Sequence, residues 1–353
     1  MKIQSRKQSM KSIFFISTIL AGMTALAACG GSDGPTSPPP PPPPPPVATD
    51  YFPVKNCINL SNAMDAPDEG DFGYSIRQRD LVAISQAGFD TIRLTVRWDT
   101  HAGTSAPYTI DASWLNRVQE VVDQATAQNV GVIIDSHNWF PIAEDIPANR
   151  EQFLAMWRQI ATHFQNAPSN VYFEPYNEPE NVGQVAALNA LYIDLVAAIR
   201  ETNATRPIIF GGNEYSTIAT LNDVVWPNDD YLVATFHDYE PFNFTHQGAT
   251  FIPFPPPLGT TWGSDTDISN LEMVYNEAAA FKAANDYPLL VGEYGAILHI
   301  ALDERIAWMS ARRDKMAEED IGSCIWSFVG DFPLYDLDNE RWHDGVLAAV
   351  IRD

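Results

Sequence analysis

The sequence predicts an α/β fold, a single (β/α)8 TIM barrel that follows a signal peptide and a polyproline linker. From residue 50 to residue 353, short apolar runs alternate with segments whose apolar residues recur at helical spacing. Eight such runs within roughly 300 residues match the strand count and the size of a TIM barrel. Polar side chains also follow several of the runs, and the carboxyl ends of strands are where parallel α/β proteins bind ligands.

Residues 1–28 have the pattern of a lipoprotein signal peptide. Four basic residues precede an apolar stretch that is too short to span a bilayer as a permanent helix. The stretch ends in Leu26-Ala27-Ala28-Cys29-Gly30, which resembles a bacterial lipobox. The resemblance implies cleavage before Cys29 and lipidation of its sulfur. An ordinary secretory cleavage site beside a chance cysteine is the alternative.

Residues 29–49 form the predicted linker. It contains nine consecutive prolines, Pro38–Pro46, and such a run extends by ~3.1 Å per residue instead of packing into a core. We therefore expect an exported protein that is lipid-anchored at the cell surface or outer membrane, with residues 50–353 outside the cytoplasm. The membrane is then a partner only through the lipid. Gly30, where an aspartate could stand, favours the outer membrane.

The composition excludes several classes of partner. Hydrophobic residues make up 45% of the chain, as in a globular protein with a sizeable core. The formal net charge is −24, and a surface this acidic repels nucleic acid and anionic lipid. We therefore expect a neutral substrate and no nucleic-acid partner. The sequence leaves the oligomeric state open, and we expect a monomer.

Each predicted strand is a short run rich in aliphatic, β-branched or aromatic residues, with polar or turn residues after it. The pattern places no second linker among the strands, so residues 50–353 are predicted to be one domain. The eight strands lie near Cys57–Leu60, Thr91–Val96, Val130–Asp135, Val171–Glu174, Ile208–Gly211, Leu232–His237, Leu289–Gly292 and Ser323–Ser327.

Amphipathic segments between the strands predict helices. In Ala112–Gln128, for example, Leu115, Val118 and Val122 share one face. The other predicted helices are Arg150–Phe164, Gln184–Arg200, Asn270–Ala284 and Ala301–Glu318, with a short helix near Thr217–Leu221 and a long insertion at Asp238–Asp267.

Cys57 and Cys324 fall in the first and last predicted strands, which a closed barrel makes neighbours. An oxidising compartment allows a disulfide between them. We expect buried free thiols instead, because a bridge between two neighbouring strands strains the bond geometry.

Two predicted strands lead into a glutamate. The strand at residues 171–174 is followed by Asn177 and Glu178, and the strand at residues 289–292 is followed by Glu293. A solvated glutamate at a strand exit is the simpler interpretation of either one alone. Two carboxylates at the same end of a barrel, however, are what the hydrolysis of a glycosidic bond requires.

Other predicted strands also end in polar or aromatic side chains. Taken singly, each has a plainer interpretation: a structural ion pair for the arginine, core hydrogen bonds for the histidines and packing for the tryptophan. Their common position at one end of separate strands favours a shared site. These residues are Arg93, His137, His237, Tyr239 and Trp326.

In this ordered set the chain resembles glycoside hydrolase family 5, the retaining (β/α)8 enzymes that include many endo-β-1,4-glucanases and mannanases. The resemblance extends over essentially everything after the linker. The family pattern is Arg on strand 2, His on strand 3, Asn-Glu-Pro on strand 4, His-x-Tyr on strand 6, Glu on strand 7 and Trp on strand 8. This sequence matches with Arg93, His137, Asn177-Glu178-Pro179, His237-Asp238-Tyr239, Glu293 and Trp326, and Asn59–Pro67 and Phe242–Gly248 resemble the endoglucanase branches.

The resemblance implies a role for each matching residue. Glu178 is the expected acid/base, with its pKa held up by the nearby Glu293 carboxylate. Glu293 is the expected nucleophile, kept ionised and oriented by Arg93 and Tyr239. Asn177 is expected to bond the sugar 2-OH. The two carboxyl groups should lie ~5 Å apart, the retaining geometry.

The remaining residues are expected to bind the sugar. His137 and His237 bond hydroxyls or hold the carboxylates, and Trp326 forms an apolar floor under the sugar ring. Aromatic residues are expected to line the cleft, although packing in the core is an equal alternative for each. The further residues expected to bind substrate are Asn62, Trp139 and Trp262, with Trp98, Phe242 and Phe332 as other cleft aromatics.

Two positions depart from the family pattern. Asn138 follows His137 where some branches have a second histidine, and Tyr176 precedes Asn177 where an aliphatic residue is common. Both positions lie beside the expected catalytic centre, so they bear most on which sugars the site prefers.

Two rival functions remain open at this stage. A metal-dependent hydrolase needs clustered ligands, typically His-x-His on one strand, and the chain has no such pair, so neither metal nor cofactor is expected. A surface lipoprotein that binds glycans without cutting them is the second rival. The expected substrate is a β-linked plant polysaccharide, cellulose-type or mixed-linkage β-glucan, with mannan and xyloglucan as alternatives.

Overall fold

In a computed structural model, residues 49–138, 140–180 and 183–352 are described, and they belong to a compact unit that begins at Pro46. Among these residues, no helix combines the length and the apolar composition that crossing a membrane requires. The predicted signal peptide, the lipidation site Cys29, the prolines of the linker and Trp139 all lie outside the described residues.

Eight parallel strands close into a barrel in sequence order, with the eighth strand paired to the first. This arrangement confirms the predicted TIM barrel. Strands β2, β4 and β5 have the predicted bounds, and the others differ by one or two residues at an end. The strands are β1 Asn56–Leu60, β2 Thr91–Val96, β3 Gly131–Ser136, β4 Val171–Glu174, β5 Ile208–Gly211, β6 Leu232–Asp238, β7 Leu289–Tyr294 and β8 Gly322–Ile325.

Helices surround the barrel and bury their apolar faces against it. Some begin at residues that cap free backbone N–H groups: Asp145 accepts from Ala148, and Ser264 and Asp267 form a reciprocal capping box. The helices are α1 Gln78–Gln86, α2 Ala112–Thr126, α3 Phe140–Glu144, α4 Ile146–His163, α5 Val185–Arg200, α6 Asn213–Ser216, α7 Phe242–Thr245, α8 Asp265–Ala284, α9 Leu302–Glu318 and α10 Val346–Val350. Of these, α6 is a single turn in which Glu214 and Tyr215 have left-handed dihedral angles.

Shorter elements complete the chain. Ile218–Asp223 is a 3-10 helix, where the sequence predicted a short helix near residues 217–221. A small antiparallel pair, β9 Tyr335–Asp336 and β10 Arg341–Trp342, follows the barrel. Helix α1, the cleft-side helices α3, α6 and α7, this pair and α10 were not predicted.

The amino-terminal half of the barrel interior is apolar. Its side chains come from seven strands and from the segment before β1, whose Phe52 packs edge-on against Tyr172 at 4.8 Å between ring centroids. The hydroxyl of Tyr51 donates a hydrogen bond of 2.6 Å to the carbonyl of Leu232. We call this set the lower layer: Phe52, Val54, Cys57, Ile133, Tyr172, Ile209, Val233, Leu290 and Cys324.

Cys57 and Cys324 form a disulfide, so the expectation of free thiols is wrong. The two residues are direct partners in the pairing of β1 with β8, and their Cα atoms are 4.1 Å apart. Both side chains point into the barrel, where each is at most 1% exposed. The bridge therefore joins the first and last strands inside the lower layer.

Candidate active site

A cleft with a volume of about 1130 Å³ lies at the carboxyl ends of the strands. The predicted pair Glu178 and Glu293 lies on its wall, and several of the other residues that the sequence assigned to the site also line it. Those that line the cleft are Asn62, His137, Glu178, His237, Tyr239, Glu293 and Trp326, whereas Arg93 lies beneath it.

Glu293 reaches the site because β7 contains a bulge. Val291 pairs with Phe236 on β6, but the next pair is Glu293 with His237, so Gly292 is an extra residue. A bulge of this kind redirects the side chain that follows it. A Cβ atom on Gly292 would lie 2.9 Å from Nε2 of His237, so the close approach of the two strands requires glycine here.

The fully buried guanidinium of Arg93 binds three carboxylates. It donates two hydrogen bonds to Glu174, of 2.7 and 2.8 Å, and one of 2.7 Å from Nη1 to Oε1 of Glu293. Its Nη2 lies 3.2 Å from Oδ2 of Asp135. Burial alone would lower the pKa of Arg93, but these carboxylates outweigh burial and raise it further above its usual range. The arginine therefore remains a fixed positive charge below the cleft.

Tyr239 holds the second oxygen of Glu293. Its hydroxyl donates a hydrogen bond of 2.9 Å to Oε2. Burial raises the pKa of Tyr239, and the neighbouring Glu293 carboxylate raises it further, so the phenol stays protonated. With Arg93 on Oε1, both oxygens of Glu293 accept from a donor that stabilises the ionised carboxylate.

Glu178 lies in the loop after β4, and its side chain remains 27% exposed towards the cleft. Burial raises the pKa of Glu178 to about 7. The positive charges of His137 and Arg93 oppose this rise, and Asp135 adds to it. The expected direction of the shift is present, but burial is its largest cause rather than the Glu293 carboxylate. Glu178 is therefore a carboxyl that keeps its proton until near neutral pH.

His237 contacts Glu178 directly, with 2.6 Å between Nδ1 of the imidazole and Oε1 of the carboxyl. Burial lowers the pKa of His237 to about 4, so the ring is neutral at neutral pH. A neutral imidazole orients the Glu178 carboxyl without adding a positive charge that would favour loss of its proton.

The carboxyl groups of Glu178 and Glu293 lie close together. One oxygen from each of Glu178 and Glu293, and a ring nitrogen of His237, all lie within 4.8 Å of one another. Within the described part of the chain, these three residues are also a group that could hold a metal ion. The ion pair between Glu293 and Arg93, at 2.7 Å, already neutralises one of its carboxylates.

His137 is charged, in contrast to His237. Burial would lower its pKa, but the Asp135 carboxylate, 2.6 Å from Nδ1, outweighs burial and raises it to about 9. The imidazole stacks on Trp326, with 5.6 Å between the ring centroids and 14° between the planes. It therefore supports the indole that lines the floor of the cleft.

The amides of Asn177 and Asn62 occupy different positions. Asn177 is buried and is not among the residues that line the cleft, and its Oδ1 accepts a hydrogen bond of 2.6 Å from Arg93. Asn62 lines the cleft beside Gly330, and its Nδ2 donates a hydrogen bond of 3.0 Å to the hydroxyl of Ser61.

The aromatic residues expected in the cleft divide into two groups. Phe242 and Phe332 line it as expected. Trp262 is not among the lining residues, because it packs on the core over the guanidinium of Arg312, 5.9 Å from the ring centroid. Trp98 is fully buried. The cleft aromatics that the sequence analysis missed are Phe72, Phe140, Tyr215 and Phe251.

Three buried polar residues were also missed. Asn59 bonds Arg93 at 2.9 Å, and Asp135 and Glu174 contact the same guanidinium. Burial raises the pKa of Glu174 to about 7, although the ion pair with Arg93 opposes the shift. Asn59, Asp135 and Glu174 each lie within or at the end of a largely apolar strand. A polar side chain in such a run was the sequence signal that could have identified them.

Comparison with known proteins agrees with this geometry. The family model described as "Cellulase (glycosyl hydrolase family 5)" matches residues 59–331. Endoglucanase H of Acetivibrio thermocellus is 31% identical over 298 residues, which are 83% of this chain and 32% of that protein. Endoglucanase A of Ruminococcus albus is 30% identical over 333 residues, 84% of this chain and 89% of that protein. The chain thus spans about a third of the first of these relatives.

Solved structures also resemble the barrel closely. A structure described as an endoglucanase superposes with a TM-score of 0.84 at 32% identity, covering 87% of this chain and 100% of its own. Thermotoga maritima Cel5A in complex with cellobiose gives the same values. The same protein in complex with mannotriose gives a TM-score of 0.83 at 32% identity, with 86% of this chain and 99% of that chain covered.

Proposed function

The chain belongs to glycosyl hydrolase family 5, and from this membership we propose that it is a retaining endo-β-1,4-glycanase that cuts β-1,4-glucan or mixed-linkage β-glucan. The observation that carries the proposal is the pair of carboxyls, Glu178 and Glu293, with oxygens within 4.8 Å of each other. Separations near ~5 Å are typical of retaining enzymes, whereas inverting enzymes hold their carboxyls roughly 6.5–9.5 Å apart.

In the first step, the Glu293 carboxylate attacks the anomeric carbon and forms an ester. The bond from that carbon to the glycosidic oxygen breaks, and this oxygen takes the proton of Glu178. The pKa of about 7 keeps the proton available up to near neutral pH. Arg93 and Tyr239 hold the two oxygens of Glu293 at 2.7 and 2.9 Å, which orients the nucleophile.

In the second step, water attacks the anomeric carbon of the ester. Glu178, now a carboxylate, accepts a proton from this water, and Glu293 leaves as a carboxylate. Two successive inversions preserve the anomeric configuration. His237, neutral and 2.6 Å from Glu178, keeps the acid/base in place through both steps.

The proposed substrate, a β-1,4-glucan, is supported by the names of the relatives and by the contact between Asn177 and Arg93. The relatives are named endoglucanases, and one of the similar structures was solved with cellobiose. Thermotoga maritima Cel5A was also solved in complex with mannotriose, so β-1,4-mannan is the second candidate substrate. Glucose and mannose differ in configuration at C2, and we expect Asn177, whose Oδ1 accepts a hydrogen bond from Arg93, to bond the hydroxyl at that carbon.

The test is the release of reducing sugar by the purified protein. The panel contains carboxymethylcellulose, barley β-glucan, glucomannan, galactomannan, xyloglucan and xylan, with Glu293→Gln as the test variant. Glu151→Gln, at an exposed position on α4, is the matched control. We expect cleavage of β-glucans, loss of about four orders of magnitude in Glu293→Gln and an unchanged control.

Two outcomes would contradict the proposal. If the folded protein retains β-glucan on a column but releases no product from any substrate, it binds glycans without cutting them. If Glu293→Gln keeps most of the activity while the substrate is cut, the nucleophile is another residue.

We further propose that the protein is exported, lipidated on Cys29 and held at the cell surface or outer membrane as a monomer. The lipobox-like Leu26–Gly30 and the proline run support this proposal. The test is the mass of the purified protein: lipidation adds the mass of the acyl groups at Cys29, and Cys29→Ser abolishes it. A mature protein that begins after Ala28 without lipid would contradict the anchor.

A further inference from the structure

The loop between α7 and α8 exposes large apolar side chains next to the cleft. Phe254 is 95% exposed, Leu258 is 66% exposed and Phe251 is 55% exposed. Phe251 lines the cleft, whereas Phe254 and Leu258 lie outside it. We call Phe251, Phe254 and Leu258 the loop platform. Large apolar side chains exposed on one loop beside a cleft indicate a ligand-binding surface.

The loop platform is continuous with the catalytic centre through ring contacts. Tyr239, which donates to Glu293, lies 6.0 Å from Phe332 between ring centroids. Phe332 in turn lies 6.3 Å from Phe251. A chain of rings therefore extends from the nucleophile to the base of the loop, and Phe254 follows three residues further on.

The segment is also uncharged. From Pro241 to Ser264 the chain contains no Asp, Glu, Lys or Arg, whereas these residues make up 19% of the whole protein. A surface that docks an acidic or basic protein partner would be expected to carry complementary charge. A neutral ligand with apolar faces, such as the C–H face of a pyranose ring, suits an uncharged aromatic surface.

The loop is held rigidly. The side chain of Gln247 accepts from the backbone of Gly259 at 2.7 Å and donates to the carbonyl of Thr260 at 2.9 Å. The backbone N–H of Gly248 donates to the carbonyl of Pro256 at 2.8 Å. Four prolines, Pro253 and Pro255–Pro257, restrict the backbone further. The backbone that presents the loop platform is thus preorganised, and a ligand would lose little free energy in ordering that backbone.

We propose that the loop platform binds a β-glucan chain that continues out of the cleft. The loop platform then contributes to the binding of polymers but not to the binding of short oligosaccharides. The inference rests on the proposed function, since it takes the occupant to be the same polysaccharide that the cleft cuts. It goes further by assigning Phe254 and Leu258, which lie outside the cleft, to the selection of long chains.

The test compares Phe254→Ala, Phe254→Ala/Leu258→Ala and Phe254→Trp in the full chain. Ile193→Ala, at a half-exposed apolar position on α5, is the matched control. Migration in gels that contain barley β-glucan measures binding, and hydrolysis of barley β-glucan and of cellotetraose measures activity. We expect the alanine variants to bind barley β-glucan about fivefold to tenfold more weakly, with a matching rise in KM. Phe254→Trp retains binding, and kcat/KM for cellotetraose stays within about twofold.

Several outcomes would overturn the inference. Unchanged binding in the double variant would do so, as would an equal loss of activity on cellotetraose, because the loop would then act through the cleft. A dimer of the wild type that becomes monomeric in Phe254→Ala, with unchanged glycan binding, would assign the surface to a second copy. Retention on phosphatidylcholine vesicles that is lost in Phe254→Ala, again with unchanged glycan binding, would assign it to lipid.

The failure of the proposed function gives a different result. If the wild type cuts neither barley β-glucan nor cellotetraose, the catalytic proposal fails. The binding assay then still decides the inference: weaker migration shifts in the alanine variants support it, and unchanged shifts overturn it.

Discussion

The two halves of the barrel interior are built by the same strands but from opposite chemistries. The lower layer is apolar and contains the Cys57–Cys324 disulfide, whereas the half above it holds the buried Arg93 among its carboxylates. Only two residues along a strand separate them. The pairs that show this are Cys57 and Asn59 on β1, Ile133 and Asp135 on β3, and Tyr172 and Glu174 on β4.

This comparison shows how a barrel separates stability from chemistry. Alternate residues of a strand point inwards, so one strand contributes a side chain to each layer. The lower layer stabilises the fold by burying apolar area. The upper layer buries several charges, and burial costs free energy unless those charges are paired. Substitutions in the upper layer should therefore affect catalysis most, and those in the lower layer should affect stability alone.

The largest effect is expected from Arg93→Met. The substitution leaves the carboxylates of Glu174, Asp135 and Glu293 without their shared positive partner. We expect kcat to fall by about 10²–10³ and the free energy of unfolding to fall by roughly 3–5 kcal/mol. Steady-state kinetics measures kcat, and urea denaturation measures the free energy of unfolding.

Arg305→Met is the control for Arg93→Met. Arg305 is also buried, but its Nη2 donates a hydrogen bond of 2.8 Å to the carbonyl of Pro333, and no carboxylate among the described residues forms an ion pair with it. We expect a loss of stability with kcat within about twofold. Equal losses of kcat in the two variants would mean that any buried arginine affects catalysis to the same extent. The distinction between the two layers would then be wrong.

The next largest effect is expected from removing the disulfide of the lower layer. In Cys57→Ser/Cys324→Ser the free energy of unfolding should fall by about 2–5 kcal/mol, because the bridge joins strands 267 residues apart in the sequence. We expect kcat at 25 °C to change by less than about twofold. Thermal unfolding with and without reductant provides the measurement. A loss of kcat in the folded double variant would contradict the separation of the layers.

Two successive inward positions on β3, Ile133 and Asp135, allow the lower and upper layers to be compared within one strand. Ile133→Ala removes apolar volume from the lower layer and should cost about 2–4 kcal/mol of unfolding free energy without lowering kcat. Asp135→Asn removes the partner of His137 and should lower its pKa from about 9, while kcat falls by about 10–100-fold. An NMR titration of His137 and steady-state kinetics distinguish the two outcomes. The comparison fails if Ile133→Ala lowers kcat as much as Asp135→Asn.

The smallest effect is a dependence on pH. Because burial raises the pKa of Glu178 to about 7 and the protonated form is the active acid, kcat/KM should fall about tenfold per pH unit above pH 7. A dinitrophenyl cellobioside has a leaving group that needs no proton, so this basic limb should disappear with it. A basic limb that persists with the activated substrate would assign the titration to another residue.

The sequence predicted the barrel well because its strands carry a local signal. Runs such as Thr91–Val96 and Ile208–Gly211 are rich in β-branched and aliphatic residues, and their bounds did not change in the structure. The position of Glu178 and Glu293 at the same end of the barrel was also predictable, since one follows and the other ends such a run. The resemblance of the ordered motifs to those of glycoside hydrolase family 5 added the expected roles of these residues.

Other features depend on contacts between distant strands and were not predictable. The disulfide follows from the register that places Cys57 opposite Cys324, and a glycine in a strand does not reveal the bulge at Gly292. The aromatic lining depends on how long loops fold, which is why Trp262 is packed on the core while Phe72 and Phe251 line the cleft.

The most direct test of the account is the anomeric form of the first product. Glu178 and Glu293 lie close enough for a covalent intermediate on Glu293, so two inversions should release the β-anomer. Proton NMR during hydrolysis of cellotetraose or barley β-glucan, recorded within the first minutes, should show the β-anomeric signal first and the α-anomeric signal only as mutarotation proceeds. An α-anomeric product at the earliest times would mean direct attack by water, and it would contradict the role assigned to Glu293.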